Sequence, residues 1–290
     1  MPHLEYRPAN RRTLRQRVLS ERPRRLLRGT RTVLESLRFV GAPLEALTIA
    51  RVTFSSRSGR ERRVRVRTIG NQEISLRDGS TDAMAAVATF VGGYHRPPAD
   101  DAPGMIWDLG ANVGLTVADL GYRYPAARIV ALEPDPGNVA QARQNTSHLG
   151  DRCEIISAAI WPTDGEVRLI DRGSEVGFRV GPGDGQPVRA LSANSLLEIT
   201  GCPDYVKMDI EGSEVHVLGQ NTAWLRSVKV ISVECHPPYS IARCRRDLEA
   251  LGFDVEALPQ SRRHRAHDCV VGRRRAVFAP ADRGRDTGTR

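Results

Sequence analysis

The sequence predicts an α/β protein whose mostly parallel sheet is covered by helices on both faces. After residue 104, short apolar runs that suit buried strands alternate with amphipathic stretches that suit helices. Before residue 96, the spacing of apolar residues instead changes from a helical period to a period of two. A proline-rich stretch, residues 96–103, separates these parts. We therefore expect a small helical and β-hairpin module over residues 1–100 and a larger α/β domain over residues 101–290.

The chain begins with an arginine-rich stretch. Residues 10–40 place leucine and valine at helical spacing among the arginines, and Pro23 and Gly29 divide the stretch into short helices. Such an arm can bind an acidic or membrane surface, or it can cover the core as a solvated cap. We favour the cap, because arginine stems cover apolar surface while their charged ends stay in water.

A β-hairpin or meander is expected after this arm. Residues 49–76 alternate apolar and polar side chains around a turn at residues 58–59. Residues 80–82 then offer helix caps, and an apolar helix is expected from there to the glycines at 92–93.

The α/β domain is predicted from five strands and five helices, with a glycine-rich surface flap at residues 165–187. The expected strands are residues 105–109, 128–132, 153–158, 205–210 and 228–233. The expected helices are residues 115–123, 136–149, 192–199, 213–225 and 241–251.

The composition is that of a globular protein, with 40% hydrophobic and 27% charged residues among 290. The longest stretch without a charge or turn signal, residues 83–91, is shorter than the roughly 20 apolar residues that a membrane span needs. The first residues lack the charged and then apolar pattern of a secretory signal, so we expect a cytoplasmic protein. The five scattered cysteines never form a Cys-x-x-Cys pair, which disfavours a disulfide framework or a cysteine zinc site.

The net charge of +9 does not by itself indicate nucleic acid binding. The basic residues lie mainly at the two ends of the chain, and residues 1–70 hold 18 arginines against 5 glutamates. This basic arm lacks interleaved aromatic residues, and no DNA-binding motif follows it. We expect no nucleic acid partner.

The first motif with chemical content is Asp108-Leu109-Gly110-Ala111-Asn112-Val113-Gly114, at the predicted turn from a buried strand into a helix. Glycines let the backbone approach a ligand closely, and the helix presents free N–H groups at its start. The spacing differs from the Gly-x-Gly-x-x-Gly dinucleotide fingerprint, and Asn112 stands at the second glycine position. An ordinary strand-to-helix turn remains an alternative.

Glu133 strengthens the ligand-binding hypothesis. It stands at the tip of the next strand, 25 positions after Asp108, and Pro134 and Asp135 follow it. An acid at this position can bind both hydroxyls of a ribose. Two acids beside one glycine turn suit a ligand that carries ribose hydroxyls and an ammonium group but no phosphate, such as S-adenosylmethionine.

The second motif is Tyr205-Val206-Lys207-Met208-Asp209-Ile210-Glu211-Gly212-Ser213-Glu214. Lys207, Asp209 and Glu211 stand two apart at the end of a predicted core strand, where charges are costly unless they pair or function. Glu214 falls in the first turn of the next helix, where interaction with the helix dipole is the simpler interpretation.

The third motif is Val233-Glu234-Cys235-His236-Pro237-Pro238, again at a strand tip. His236 can be a general base, a metal ligand or a capped histidine at a strand end. His264, His267 and Cys269 have loosely metal-like spacing, but the arginines around them would repel a cation.

Together these motifs closely resemble the FkbM family of S-adenosylmethionine-dependent methyltransferases. The Lys-x-Asp-x-Glu-Gly-x-Glu string is the most specific part, and residues 76–82 resemble the entry segment of the family. The resemblance covers about residues 74–257 and leaves out the arginine-rich start and the end of the chain.

The resemblance implies the class I methyltransferase fold, a Rossmann-like sandwich whose seven-stranded sheet gains its antiparallel strand from the last hairpin. It implies that Glu133 binds the ribose, that Asp108, Gly110 and Asn112 bind the methionine moiety, and that Ser157, Ala158 and Ala159 lie near the adenine. Gly114, Pro134 and Asp135 complete the expected cofactor-binding residues. The family is associated with O-methylation of sugars, polyketides and other secondary metabolites, so the expected partner is a small hydroxyl acceptor.

Several alternatives stay open from the sequence. Asp209 or His236 is the expected base, with Lys207 and Glu211 as the other catalytic residues. Mg²⁺ on Asp209, Glu211 and Glu234 can equally activate the hydroxyl. N- or C-methylation and a nicotinamide-dependent oxidoreductase are the alternative functions. A Rossmann-like binding or scaffold protein with a basic arm is the alternative without catalysis. The oligomeric state is not indicated.

Overall fold

The computed structural model describes residues 30–55, 59–98, 102–171, 178–181, 184–257 and 269–275. Residues 30–36 are helical and precede the first labelled helix. The α-helices are α1 (Pro43–Phe54), α2 (Asp82–Val87), α3 (Leu115–Arg123), α4 (Pro136–Thr146), α5 (Ala193–Thr200), α6 (Glu214–Val217) and α7 (Ile241–Ala250). Helical turns of other types are the 3₁₀ segments Arg67–Ile69, Ser147–Arg152 and Thr222–Ser227 and the π segment Ala88–Gly92.

Thirteen described strands form three sheets. They are β1 (Glu61–Val66), β2 (Gln72–Arg77), β3 (Met105–Leu109), β4 (Arg128–Glu133), β5 (Cys153–Ser157), β6 (Ala159–Ile160), β7 (Gly165–Asp171), β8 (Phe178–Gly181), β9 (Gln186–Leu191), β10 (Tyr205–Met208), β11 (Val230–Glu234), β12 (Phe253–Ala257) and β13 (Cys269–Arg274).

The central sheet has seven strands in the order β12-β13-β11-β10-β3-β4-β5. The pairs from β11 to β5 are parallel, whereas β13 runs antiparallel to both β11 and β12. This confirms the predicted class I methyltransferase sheet and its terminal hairpin. The chain passes from β3 to β4 in one direction across the sheet and later fills β10 and β11 on the other side. Ligands bind at the carboxyl ends of strands beside such a reversal.

The strands of the central sheet are apolar because both faces are buried. In β3, Ile106 and Trp107 are both fully buried and belong to different hydrophobic clusters. Adjacent residues of a strand point to opposite faces, so the two clusters lie on the two sides of the sheet. Trp107 lies 6.1 Å from Trp224 between ring centroids, and this pair fills one of the layers.

The predicted flap is a second sheet in the described residues. Strands β7, β8 and β9 join β6 in the order β6-β9-β7-β8, with β6 and β9 parallel and the other pairs antiparallel. Residues 172–177 and 182–183 of this region lie outside the described ranges.

One sequence prediction was wrong in the N-terminal part. Residues 49–54 belong to helix α1 and not to a strand, because Ile49 and Val52 lie three apart on the buried side of a helix that begins at Pro43. The later apolar pairs of the predicted meander form the hairpin of β1 and β2, which turns at residues 67–71. Asn71, with a φ of 60°, adopts the left-handed conformation that this turn needs. Residue 58 of the predicted turn lies outside the described residues.

The predicted helix at residues 213–225 is also wrong as a single element. Helix α6 ends at Val217, and a separate 3₁₀ segment begins at Thr222. Asn221 between them has a φ of 52°, which no continuous right-handed helix contains.

The hairpin packs directly on the large sheet domain. One hydrophobic cluster contains Val64 and Leu76 of the hairpin together with Leu115 and Ala118 of α3. The predicted division at residues 100 and 101 thus has apolar contacts across it. Among the helices that the structure describes, none has the length and apolar content of a membrane span.

Candidate active site

The glycine motif forms a left-handed turn between β3 and α3. Gly110, Asn112 and Gly114 have φ values of 88°, 49° and 80°. A Cβ atom on Gly110 would lie 1.8 Å from the carbonyl oxygen of Asp209, and one on Gly114 would lie 2.9 Å from Cα of Ala142. The turn therefore packs against the end of β10 and against α4, and both contacts require glycine.

Lys207 joins the ends of β10 and β3. The parallel register places Lys207 beside Asp108, and its Nζ lies 2.9 Å from Asp108 Oδ1 and donates to the Gly110 carbonyl at 2.7 Å. Burial alone would lower the pKa of Lys207, but Asp108 and Asp209 raise it above its usual value. Lys207 therefore stays charged and holds the turn in place.

Asp108 lies within this network and not on the surface of the crevice. Its side chain is completely buried, and Thr116 Oγ1 donates to its second carboxylate oxygen. In this structure Asp108 acts on the turn through Lys207 and Thr116.

Glu133 ends β4 beside the same turn. Oε2 accepts from the backbone N–H of Asn112 at 2.9 Å, and Oε1 accepts from the N–H of Asp135 at 2.9 Å. Pro134 separates Glu133 from Asp135, which caps α4 by accepting from the N–H of Asn138. Burial raises the pKa of Glu133 to about 7, although these donors oppose the shift.

A second cluster combines the ends of β10 and β11. Nε2 of His236 lies 3.8 Å from Asp209 Oδ1, 3.7 Å from Glu211 Oε2 and 3.6 Å from Glu234 Oε1. Its Nδ1 lies 2.9 Å from Oε1 of the fully buried Glu214. Burial alone would lower the pKa of His236, but the hydrogen bond with Glu214 and the neighbouring carboxylates raise it to about 10. The structure thus brings together the charged residues of the second and third motifs.

Part of this cluster has the donor set of a cation site. Asp209, Glu234 and His236 offer ligand atoms that all lie within 4.8 Å of one another. Two carboxylates and an imidazole whose second nitrogen is held by a carboxylate fit a divalent transition metal. Mg²⁺ prefers oxygen ligands, so His236 suits it less well than the predicted set of Asp209, Glu211 and Glu234.

The remaining predicted residues occupy different surroundings. Ala159 is buried in β6, which follows the end of β5. Cys269 is buried in β13, opposite Glu234 in the register. His264 and His267 lie outside the described residues.

Three further residues bear on the site, and the sequence motifs did not mark them as functional. Burial, together with the charges of Asp209 and Glu234, raises the pKa of Tyr94 well above its usual value. Asn138 contacts Glu133, and Arg77 contacts Asn138. Arg77 lies in the segment that resembled the family's entry, and Tyr94 follows the helix after it, but their partners are distant in sequence.

Comparison with known proteins identifies the family. The Methyltransferase FkbM domain matches residues 108–255, just over half of the chain. The chain belongs to the FkbM methyltransferase family. It is an S-adenosylmethionine-dependent methyltransferase with the fold that the resemblance implied. This function excludes the nicotinamide-dependent alternative.

Individual relatives of this FkbM methyltransferase are distant. The hexuronic acid methyltransferase AglP of Haloferax volcanii is 23% identical over 174 residues, which are 59% of this chain and 70% of AglP. The structure of the precorrin-6y C5,15-methyltransferase from Geobacter metallireducens matches with a TM-score of 0.40 at 17% identity. The match covers 65% of this chain and 88% of that protein's chain. The fibrillarin pre-rRNA processing protein from Methanococcus jannaschii matches with a TM-score of 0.41 at 16% identity. This match covers 76% of this chain and 86% of the fibrillarin chain.

Proposed function

We propose that this FkbM methyltransferase transfers a methyl group from S-adenosylmethionine to a hydroxyl of a sugar, a polyketide or another secondary metabolite. The proposal rests on one observation: two groups of polar residues lie next to each other at the carboxyl ends of the strands of the central sheet. Glu133 and the glycine turn form the first, and the cluster around His236 forms the second. A sugar hydroxyl is the first choice, because the relative AglP acts on a hexuronic acid.

The first site fits the methyl donor by its chemistry. Six carboxylates lie at this edge of the sheet, against the cations Lys207 and His236. Asp108 and Glu214 are fully buried, and the other four are Glu133, Asp209, Glu211 and Glu234. A cationic sulfonium with ribose hydroxyls and no phosphate suits such an acidic crevice.

The proposed binding roles follow the geometry. Glu133 accepts hydrogen bonds from the ribose hydroxyls, and Gly110 and Asn112 hold the methionine part against the turn. Asp108 acts through Lys207, because its own carboxylate is buried. Gly114, Pro134 and Asp135 shape the two loops, and Ala159 lies on the adenine side.

Asp209 is the proposed general base. Its carboxylate follows β10 next to the Gly110 turn, and its side chain is 19% exposed, so it is accessible to an acceptor hydroxyl. Bound S-adenosylmethionine supplies an electrophilic methyl group. The acceptor oxygen forms the new bond to this carbon as the carbon–sulfur bond breaks, and the hydroxyl proton passes to Asp209. His236 and Glu211 position the carboxylate, with Glu214 orienting the imidazole.

A divalent cation would be held by Asp209, Glu234 and His236, and it would lower the pKa of the acceptor hydroxyl. Titrating the purified enzyme with EDTA and then with Mg²⁺, Mn²⁺ or Zn²⁺ separates this arrangement from base catalysis alone.

The central experiment replaces Asp209. We expect Asp209→Asn to lower kcat by about 10²-fold or more, because the base contributes roughly 10²–10⁴-fold. The dissociation constant for S-adenosylmethionine should stay within about twofold of wild type, since a neutral isostere keeps the shape of the site. Transfer of labelled methyl to sugars and uronic acids gives kcat, and isothermal titration calorimetry gives the binding constant.

The control is Asp254→Asn, which removes an exposed carboxylate paired with Arg275. It should leave both quantities unchanged. Equal loss of turnover and cofactor binding in Asp209→Asn would reject Asp209 as the base. Absence of S-adenosylmethionine binding to the folded wild type would reject the proposed donor site.

A further inference from the structure

Strand β2 of the N-terminal hairpin is linked to both loops of the proposed cofactor site through two asparagines of helix α4. The N–H of Ser75 donates to Asn145 Oδ1 at 2.7 Å, and Asn145 Nδ2 donates to the Val113 carbonyl at 2.8 Å. Asn145 is 1% exposed. A buried amide therefore ties the hairpin to the glycine turn.

The second link runs from Arg77 to Asn138, in the first turn of α4 after the loop that holds Glu133. Arg77 forms a bidentate pair with Asp82, with its Nε at 3.0 Å and one terminal nitrogen at 2.8 Å from the carboxylate oxygens. That terminal nitrogen also donates to Asn138 Oδ1 at 2.9 Å. Since Asp82 is 1% exposed, the pair fixes the direction of the guanidinium.

Asn138 carries this constraint to Glu133. Its side-chain oxygen accepts from Arg77, so its Nδ2 group must point the other way, and that nitrogen lies 3.4 Å from Glu133 Oε1. Its backbone N–H donates to Asp135 Oδ1 at 2.7 Å, which anchors the start of α4. The amide is thereby oriented from both sides.

We propose that Arg77 is a positioning residue for the methyl donor, which fixes the Glu133 carboxylate through Asn138. This inference rests on the proposed role of Glu133 as the ribose ligand. Arg77 itself contacts neither the donor nor the acceptor. Its positive charge beside Glu133 also favours the ionised carboxylate, the form that accepts two hydroxyl hydrogen bonds.

The chain offers a matched control for this arginine. Arg62, on the neighbouring strand β1, forms a bidentate pair with the buried Asp78, and its terminal nitrogen lies 2.7 Å from Asp78 Oδ2. Both arginines therefore join a hairpin strand to a buried aspartate, but Arg77 alone of the two has a described hydrogen bond to Asn138. The variants Arg77→Gln and Arg62→Gln remove comparable ion pairs.

The experiment measures S-adenosylmethionine binding by calorimetry, and thermal midpoints, for wild type and four variants. We expect Arg77→Gln and Asn138→Ala each to weaken binding about tenfold, whereas Arg62→Gln stays within about twofold. The double variant Arg77→Gln/Asn138→Ala should bind no more weakly than the poorer single variant, because both substitutions interrupt the same chain of hydrogen bonds from Arg77 through Asn138 to Glu133. Asn138→Ala leaves the Arg77–Asp82 pair intact and so reports on the path if Arg77→Gln folds poorly.

Three results would overturn the inference. The first is that Arg77→Gln binds S-adenosylmethionine as tightly as wild type. The second is that Arg62→Gln weakens binding as much as Arg77→Gln does. The third is that the double variant weakens binding by the product of the two single factors. If folded wild type does not bind S-adenosylmethionine, the donor site itself is wrong, and that outcome is separate from any difference between the arginines.

Discussion

Gly110 is required both for the conformation of the turn after β3 and for the packing of that turn against the residues after β10. Its φ of 88° and the 1.8 Å separation that an added Cβ would have from the Asp209 carbonyl oxygen are two separate reasons for glycine. We predict that Gly110→Ala weakens S-adenosylmethionine binding at least tenfold and lowers the thermal midpoint, because the turn must move away from β10. Calorimetry and thermal unfolding measure both effects.

Gly201 separates the two reasons. It has the same φ of 88°, but a Cβ atom there would meet nothing within 4 Å. Gly201→Ala should cost only the backbone strain of its extended positive-φ conformation, with a ψ of 179°, about 1–3 kcal/mol, and should leave cofactor binding unchanged. Similar effects of the two substitutions would contradict the steric argument.

Glu133 predicts a pH dependence at the residue scale. Burial raises its pKa from 4.5 to about 7, and ribose binding needs the ionised form. The affinity for S-adenosylmethionine should therefore fall below pH 7, by up to about tenfold per pH unit. The free energy of unfolding should depend on pH in the opposite direction. Because the pKa of Glu133 is higher in the folded chain than in the unfolded chain, its contribution to stability is fully present below about pH 4.5 and is lost as the pH rises through 7.

Glu133→Gln tests the predicted pH dependence of cofactor binding. Its weaker cofactor binding should no longer change between pH 5.5 and 8, as measured by calorimetry across that range. Glu154→Gln, which alters a half-exposed carboxylate on the neighbouring strand, is the control and should keep the wild-type profile. A pH-dependent affinity in Glu133→Gln would assign the titration to another group.

The residues of the candidate site were predictable where they follow each other in sequence. Lys207, Asp209 and Glu211 are costly charges after a strand, and the pattern alone marks them. The contact of Arg77 with Asn138 spans 61 residues, and nothing in the local sequence of either residue indicates the other. Whether the predicted residues perform the assigned roles stays a prediction.

At the element scale, α3 is fixed to the segment before β3 by a buried carboxylate. Asp119 is completely buried and accepts hydrogen bonds from Arg96 and Arg123, and His95 Nε2 lies 3.0 Å from it. Burial alone would raise the pKa of Asp119, but these partners hold it well below its usual range. Its stabilising effect is therefore present above about pH 4 and is lost as the pH falls.

We predict that Asp119→Asn lowers the free energy of unfolding by about 3 kcal/mol, because it leaves two arginines without their buried partner. Urea unfolding at pH 7 and pH 3 measures this, and the difference from wild type should shrink at the lower pH. Glu249→Gln, which removes an exposed helical pair with Arg245, should cost less than about 0.5 kcal/mol. An equal cost of the two changes would contradict the argument.

Elements of the central sheet were predictable because each strand is an apolar run of the right length. The wrong predictions fall where one stretch fits both the strand and the helix spacing of apolar residues, or where a helix ends without a strong sequence signal. Val52 and Phe54 alternate as in a strand, yet Ile49 and Val52 also fit a helix, and packing selects the helix. The break after α6 depends on Asn221, a residue that tolerates the left-handed conformation without requiring it.

At the scale of the whole molecule, the order of the strands decides which motifs meet. The sequence predicts alternating strands and helices, but it does not state that β10 lies beside β3. That neighbour relation places Lys207 against Asp108 and brings the second motif to the glycine turn. The family resemblance provided the order, and local patterns alone do not contain it, because strand pairing depends on contacts between distant segments.

The shared cluster of hairpin and helix α3 predicts that the two parts unfold together. Val66, Ile74 and Leu76 are completely or almost completely buried in one cluster with Leu115 and Ala118. We expect a single calorimetric transition for the full chain, with equal calorimetric and van't Hoff enthalpies. Leu76→Ala should lower the free energy of unfolding by about 3 kcal/mol and keep one transition, because the cavity weakens both parts at once.

A chain that starts at residue 102 extends this test to the whole molecule. Without the hairpin, the apolar side of α3 is exposed, and Asn145 and Asn138 lose Ser75 and Arg77 as partners. We expect this fragment to unfold without a sharp transition and to bind S-adenosylmethionine at least tenfold more weakly than the full chain. A matched fragment that starts at residue 30 keeps the hairpin, so a loss that appears only in the shorter fragment is due to the removal of residues 30–101. A fragment from residue 102 with full affinity and a sharp transition would instead establish the α/β part as an independent domain, as the division at residues 100 and 101 predicts.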